Sequence, residues 1–268
     1  MVQDVDVAQK FWGKDITAMK GKTTWSKPNI VARYQVKIPV ELMKIYKEVL
    51  LTCKIFFVNK IPLFVMLIQK IYFTAVNHPA NRMLPKSFKA FKYVYKYYLH
   101  CGFRITKVHA EREFYSLNNL IEILPGGPLV NLYPANEHLP DIERKVRLVK
   151  EQCRATRNGL KFQSMTKLLT SQKFLNLFKM LNFFPTKGGI SDNLSPKTIM
   201  SGETLDYKNY LRLQLGQYFH VHKEENPHKN QVPITKGDIC LVPRNNLKGR
   251  YKFMDSKTAK KIVRRIWN

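Results

Sequence analysis

Residues 49–76 are almost continuously apolar, and this run most constrains how the chain can fold. A membrane-spanning helix needs about 20 nearly uncharged residues, whereas three lysines interrupt this run at Lys54, Lys60 and Lys70. A turn at 59–62, which contains an asparagine and a proline, separates its first two pieces. The run therefore predicts buried strands rather than a membrane span, in a sheet covered on both faces, at 49–58, 62–68 and 71–76.

A helix is predicted next, over residues 85–100. Pro85 suits its first turn and Gly102 follows its end. Apolar side chains recur along it at helical spacing and should face the core; they are Leu84, Phe88, Phe91, Tyr95 and Tyr98. Lysines form a basic stripe on its other faces, which is either a solvated surface or a contact for a nucleic-acid backbone; they are Lys86, Lys89, Lys92 and Lys96.

The chain then alternates between strand-like and helix-like segments. Strands are predicted at 103–109 and 129–133, and helices at 113–124, 140–158 and 163–182. Strands that alternate with helices in this way favour an α/β domain with a mixed sheet flanked by helices. The buried face of the helix at 140–158 is predicted from its periodicity to consist of Ile142, Val146, Val149 and Cys153.

Composition divides the chain into four parts. We expect a polar N-terminal linker segment at 1–48, a core at 49–184, a loop-rich connector at 185–214 and a small β-rich C-terminal module at 215–268. Short strands are predicted in that module near 215–222, 237–242, 250–254 and 260–266.

The strong positive charge limits the partners of the chain. Lys and Arg number 46 against 19 Asp and Glu, which gives a formal net charge of +27. Such an excess favours a polyanionic partner, of which DNA and RNA are the commonest. A basic protein without such a partner, or one that contacts anionic membranes, stays an alternative.

The four cysteines lack the spacing of a zinc site or of a C-x-x-C pair, so we expect free thiols, mostly buried, in a reducing compartment. No secretory signal is recognisable at the start of the sequence. We therefore expect a soluble, intracellular protein.

Three stretches resemble the integrase core of copia-type retrotransposon polyproteins: residues 138–144 (His-Leu-Pro-Asp-Ile-Glu-Arg), 183–189 (Phe-Phe-Pro-Thr-Lys-Gly-Gly) and 195–207. The resemblance extends over about residues 8–267. It implies a ribonuclease H-like core followed by a small β module, a DNA partner, a nuclear location and the option of a homo-oligomer. It also implies two Mg²⁺ ions, which in this chemistry clamp the attacking and leaving oxygens of a phosphoryl transfer.

That family holds its metal ions with two aspartates and one glutamate. Glu143 stands at the glutamate position, although the helix dipole also favours acids in a first turn. Residues 109–114 read His-Ala-Glu-Arg-Glu-Phe, which places Glu111 at the second aspartate and Arg112 at a glycine. The alternative is that Glu111 and Glu113 are solvated acids. Lys54 stands where the first aspartate belongs.

Lysine at the first position removes a ligand and brings a positive charge to the metal site. At an effective dielectric constant near 20, two unit charges about 4 Å apart repel by about 4 kcal/mol, and a divalent ion doubles this cost. The sequence therefore predicts an integrase-like protein that binds nucleic acid and has lost DNA integration. Glu111 and Glu143 are the acids that remain at the catalytic positions, and we expect them to be weak Mg²⁺ ligands. The expected nucleic-acid contacts are Arg144, Lys145 and Arg147.

Three alternatives remain open from the sequence. The enzyme could work with Mg²⁺ held by Glu111 and Glu143 alone. The protein could instead be a domesticated, non-catalytic DNA-binding or interaction protein. It could also be a relic without function.

Overall fold

The computed structural model describes residues 30–78, 84–134, 137, 139–160, 164–222, 235–244 and 250–264. These residues form two compact units. The larger is Arg33–Thr204, and the smaller holds the described residues from Leu205 onward together with residues 30–32. Residues such as Ile199 and Met200 also pack into the interior of the larger unit.

A five-stranded mixed sheet lies at the centre of the larger unit. Its strands are β2 (Glu48–Val58), β3 (Ile61–Ile68), β4 (Thr74–Asn77), β5 (Arg104–Glu111) and β6 (Leu129–Tyr133). They lie in the order β4-β3-β2-β5-β6. The pairs β2–β3 and β3–β4 are antiparallel, whereas β2–β5 and β5–β6 are parallel. A separate two-stranded sheet joins β1 (Arg33–Gln35) to β7 (Glu203–Leu205).

Helices connect and cover these strands. They are α1 (Val40–Ile45), α2 (Leu84–His100), α3 (Asn118–Glu122), α4 (Pro140–Asn158), α5 (Lys167–Leu181) and α6 (Pro196–Ser201). The helices predicted at 85–100 and 140–158 are confirmed. The helix predicted at 113–124 instead divides into a 3₁₀ helix, Arg112–Leu117, followed by α3. The helix predicted at 163–182 begins only at Lys167, because the Thr166 hydroxyl accepts a hydrogen bond from the Leu169 N–H and caps that end.

A tight turn fixes the register of the β2–β3 hairpin. Asn59 and Lys60 have φ angles of 47° and 64°. Positive φ at both central residues is typical of the two-residue turn whose twist matches that of the flanking strands. The turn pairs Val58 with Ile61, and the same register places Lys54 opposite Val65 in the middle of the sheet.

Two apolar layers cover the sheet, as the continuous apolar strands predicted. On one face α2 packs through Phe91, Tyr95 and Tyr98, each at most 1% exposed. On the other face α4 and α5 pack over a cluster that contains Phe56 and Phe178. Because side chains alternate along a strand, the sequence neighbours of Lys54 point to the α2 layer and Lys54 itself points to the α4 face.

The smaller unit contains a four-stranded antiparallel sheet in the order β11-β10-β9-β8, after the short helix α7 (Tyr207–Tyr210). Its strands are β8 (Tyr218–His222), β9 (Thr235–Pro243), β10 (Tyr251–Asp255) and β11 (Lys261–Arg264). Its core contains Val221, Cys240 and Phe253, each fully buried.

The predicted fold class is confirmed: a mixed α/β sheet flanked by helices, with a small β-rich C-terminal module. The antiparallel strands on one side of β2 and the parallel strands on the other are the arrangement of a ribonuclease H-like core. All four cysteines are free, and three of them are buried, as predicted. None of the helices in the described ranges combines the length and the apolar character that a bilayer crossing requires.

Candidate functional site

Three residues that are distant in sequence meet on the α4 face of the sheet. The parallel strands β2 and β5 pair Cys53 with Ala110, so the next residues, Lys54 and Glu111, lie side by side on that face. Helix α4 begins at Pro140, whose fixed φ suits a first helical turn. That start places Glu143 in the first turn, where it reaches the same point. We call Lys54, Glu111 and Glu143 the ion triad.

The ammonium of Lys54 bridges the two carboxylates of the ion triad. Its Nζ donates hydrogen bonds to Glu111 Oε1 at 2.6 Å and to Glu143 Oε1 at 3.0 Å. The three side chains are partly buried, and Lys54 is 19% exposed. Burial acts to lower the pKa of Lys54, but the hydrogen bonds and charges of the two glutamates outweigh burial and raise the pKa above its ordinary 10.5. Lys54 is therefore charged at neutral pH, and its bonds stabilise the fold until the pH rises through that raised pKa.

The residues present do not fit a divalent metal ion. Within the described ranges, no group of three or more His, Cys, Asp or Glu side chains could hold a metal. If Glu111 and Glu143 were to hold a Mg²⁺ ion, the Lys54 ammonium would repel it, by about 8 kcal/mol at an assumed separation of about 4 Å and an effective dielectric constant near 20. The acid positions are thus already filled by a cation of the chain itself.

The other predicted site residues are placed differently. Arg112 and Glu113 are exposed in the 3₁₀ helix that follows β5. The solvated-acid alternative therefore describes Glu113, whereas Glu111 is partly buried and bonded to Lys54.

Of the three predicted nucleic-acid contacts, Arg144 and Arg147 are exposed on α4. Lys145 is only 7% exposed. The burial of Lys145 therefore does not support a direct phosphate contact through this side chain.

A cavity of about 290 Å³ that sequence reasoning missed lies beside the ion triad. Lys54 and Glu143 line one part of it, and the basic side chains Arg147, Lys150 and Arg154 line another, with Glu151 as a second acid. Phe56 and Val146 supply apolar wall. The Lys150 Nζ lies 5.4 Å from the centroid of the Phe56 ring, a cation–π contact that orients this ammonium. Lys150 and Arg154 follow Arg147 by three and seven residues. This helical spacing is the sequence signal that places the three side chains on one face of α4.

The buried Lys145 predicts a measurable pH dependence. Burial lowers its pKa from 10.5 to about 8, so holding its proton costs the folded state about 3 kcal/mol below pH 8. That cost disappears as the pH rises from about 8 toward 10.5. We expect urea unfolding to show stability that rises between about pH 8 and pH 10 in the unmodified protein and much less in Lys145→Met. Arg144→Met is the exposed control and should keep the rise; equal slopes in all three proteins would contradict the burial.

Comparison with known proteins is limited to structure. No known family profile matches the chain, and no curated protein matches it. One of the solved structures that match is a crystal structure of the catalytic core domain of BIV integrase, with a TM-score of 0.41 and 14% sequence identity. The match covers 56% of this chain and 92% of the BIV integrase chain.

Proposed function

We propose that this chain is an integrase-like protein of retroelement origin, of the copia type, that binds nucleic acid and no longer integrates DNA. The observation that supports it most strongly is the ion triad, in which the Lys54 ammonium bonds to both remaining acids. In two-metal phosphoryl transfer, metal ions connect the acids to the reacting phosphate. Here the acids are bonded to an ammonium instead, which supports the proposal that this chemistry has been lost.

The same arrangement leaves a surface suited to phosphates. Lys54 offsets one of the two negative charges of the ion triad, which reduces the repulsion that an approaching nucleic acid meets. Along α4, Arg144, Arg147 and Arg154 are exposed, and the partly buried Lys150 is fixed against Phe56. Cationic side chains in a row bind the phosphate backbone independently of its sequence, with a steep dependence on salt. The proposal includes a nuclear location. Whether the chain forms a homo-oligomer can be measured directly in solution.

The α4 surface predicts how binding responds to salt and to chelation. We expect the variant Arg147→Gln, Lys150→Gln, Arg154→Gln to bind duplex DNA more weakly. It should also lower the slope of log affinity against log salt by up to about 2.7, or about 0.9 for each phosphate that the variant no longer neutralises. Binding by the unmodified protein should survive EDTA. Fluorescence anisotropy with a labelled duplex over a salt series measures both quantities.

A matched control removes the same charge elsewhere on the larger unit. Lys37, Lys44 and Lys47 are all exposed near α1, and their triple change to Gln should have a smaller effect on the slope. An equal weakening in the two triple variants would show that binding is diffuse and not centred on α4. Absence of DNA binding at low salt, or its disappearance on chelation, would overturn the proposed function.

A further inference from the structure

Helix α2 carries a second basic surface, on the sheet face opposite the ion triad. The helix contains no aspartate or glutamate along its 17 residues, Leu84–His100. From Ser87 to His100, where the side chains of the helix are described, the exposed ones are Lys89, Lys92, Tyr93, Lys96 and His100. A solvated helix surface commonly mixes both signs of charge. Between Ser87 and His100 the exposed side chains of this helix are three lysines, a histidine and one aromatic ring.

Helical geometry brings these side chains together. Relative to Lys89 they follow at 3, 4, 7 and 11 residues, the spacings that share one face of an α-helix. The opposite face is fixed in the core through residues such as Phe91 and Tyr98, both fully buried. The exposed side chains therefore stand on a rigid element. Lys89 and Lys96 are about 10.5 Å apart along the helix axis, at 1.5 Å for each residue.

Tyr93 is the unusual member of this surface. Its side chain is 77% exposed, one helical turn after Lys89 and one turn before Lys96. A lysine-rich helix face that only contacts solvent does not need an exposed aromatic ring at its centre. Lysines that follow a phosphate backbone, combined with a ring on which a base can stack, are the two components by which proteins bind single-stranded nucleic acid.

We propose that the α2 face binds single-stranded nucleic acid, with Tyr93 stacked on an unpaired base and Lys89, Lys92 and Lys96 on the adjacent phosphates. A nucleic acid is a polyanion and so complements the α2 helix, which contains no aspartate or glutamate. We expect this nucleic acid to be single-stranded because neighbouring bases cover the base faces in a duplex. The Tyr93 ring can therefore stack only on an unpaired base. This site uses no residue of the α4 surface and so goes beyond the duplex binding proposed above.

The test compares a single-stranded oligonucleotide with a duplex of the same length, using the full chain and fluorescence anisotropy at low salt. Tyr93→Ala should weaken single-strand binding by about fivefold to 150-fold, the range for removal of one base stack, and leave duplex binding unchanged. Tyr93→Phe keeps the ring and should keep the affinity. The control is Tyr115→Ala, whose side chain is similarly exposed, at 74%, but lies in the 3₁₀ helix near Glu113. It should bind both oligonucleotides as the unmodified chain does.

The outcomes separate this site from the proposed function. If Tyr93→Ala binds the single strand normally while duplex binding persists, the α2 site is wrong and the proposed function stands. If the chain binds neither oligonucleotide, both fail. Vesicles with anionic headgroups form a third arm: if Tyr93→Ala loses binding to vesicles but not to the single strand, the α2 face belongs to a membrane surface and the proposal is overturned.

Discussion

The variant Lys54→Asp, Glu111→Asp, Arg112→Gly is expected to cut a labelled DNA duplex in the presence of Mg²⁺ or Mn²⁺, whereas the unmodified protein is not. Lys54→Asp replaces the ammonium of the ion triad by a carboxylate and changes the local charge by two units. Glu111→Asp shortens the side chain by one methylene, and Arg112→Gly removes an adjacent cation. Together with Glu143, the two introduced aspartates would bring three carboxylates to the place where the Lys54 ammonium now bonds. Mg²⁺ prefers such hard oxygen ligands.

Two further variants identify the cause of any activity. Lys54→Met removes the ammonium without supplying a ligand, and we expect it not to cut. Glu143→Gln added to the triple variant should abolish cutting and weaken Mn²⁺ binding, which calorimetry measures independently of activity. If the unmodified protein cuts and Glu143→Gln stops it, the interpretation of Lys54 is wrong and two carboxylates suffice. If the triple variant folds but neither binds metal nor cuts, the assignment of the three positions is wrong.

Phe64→Ala is expected to lower the free energy of unfolding by about 3–5 kcal/mol, the usual cost of removing a buried phenyl ring. Phe64 is fully buried in β3, next to the strand that carries Lys54. Its ring centroid lies 5.3 Å from that of Phe114, which belongs to the 3₁₀ helix directly after Glu111. The truncation removes apolar packing from the α2 layer, on the sheet face opposite the ion triad, and urea unfolding at neutral pH measures its cost.

Phe184→Ala is the matched control for this prediction. It removes the same atoms from a side chain that is 56% exposed, so we expect a destabilisation of less than about 1 kcal/mol, as for most surface substitutions. A similarly small destabilisation in Phe64→Ala would mean that the layer between α2 and the sheet is not packed as described. A large one in both variants would point to a structural role for Phe184 beyond its exposed position.

The sheet was predictable from sequence where each apolar run ends in a recognisable turn. The strands predicted at 49–58 and 62–68 agree with β2 and β3 to within one residue at each end. The third strand was predicted from residue 71 but begins at Thr74, because Lys70 and Tyr72 adopt left-handed backbone conformations with φ of 66° and 59°. Neither residue is a glycine, so the sequence carried no signal for that turn.

The structure brings together three residues that the sequence singled out, but the contacts between them were not predictable. The resemblance singled out Lys54, Glu111 and Glu143, but the hydrogen bonds from one ammonium to both acids depend on how β2, β5 and α4 pack. Lys145 was assigned to the surface because of its charge. Its position is about 60° from Ile142 around the helix, at the edge of the apolar face, and only packing decides whether such an edge residue is covered.

The bridging bonds of Lys54 also remove a dependence that a metal site carries. A bound metal ion exchanges with solvent, so the acids that hold it repel one another whenever the ion leaves or a chelator removes it. Lys54 is attached to the chain, so its ammonium cannot diffuse away and no chelator can remove it. The acidic edge between β2, β5 and α4 therefore keeps its counter-charge at any magnesium concentration, as long as Lys54 holds its proton.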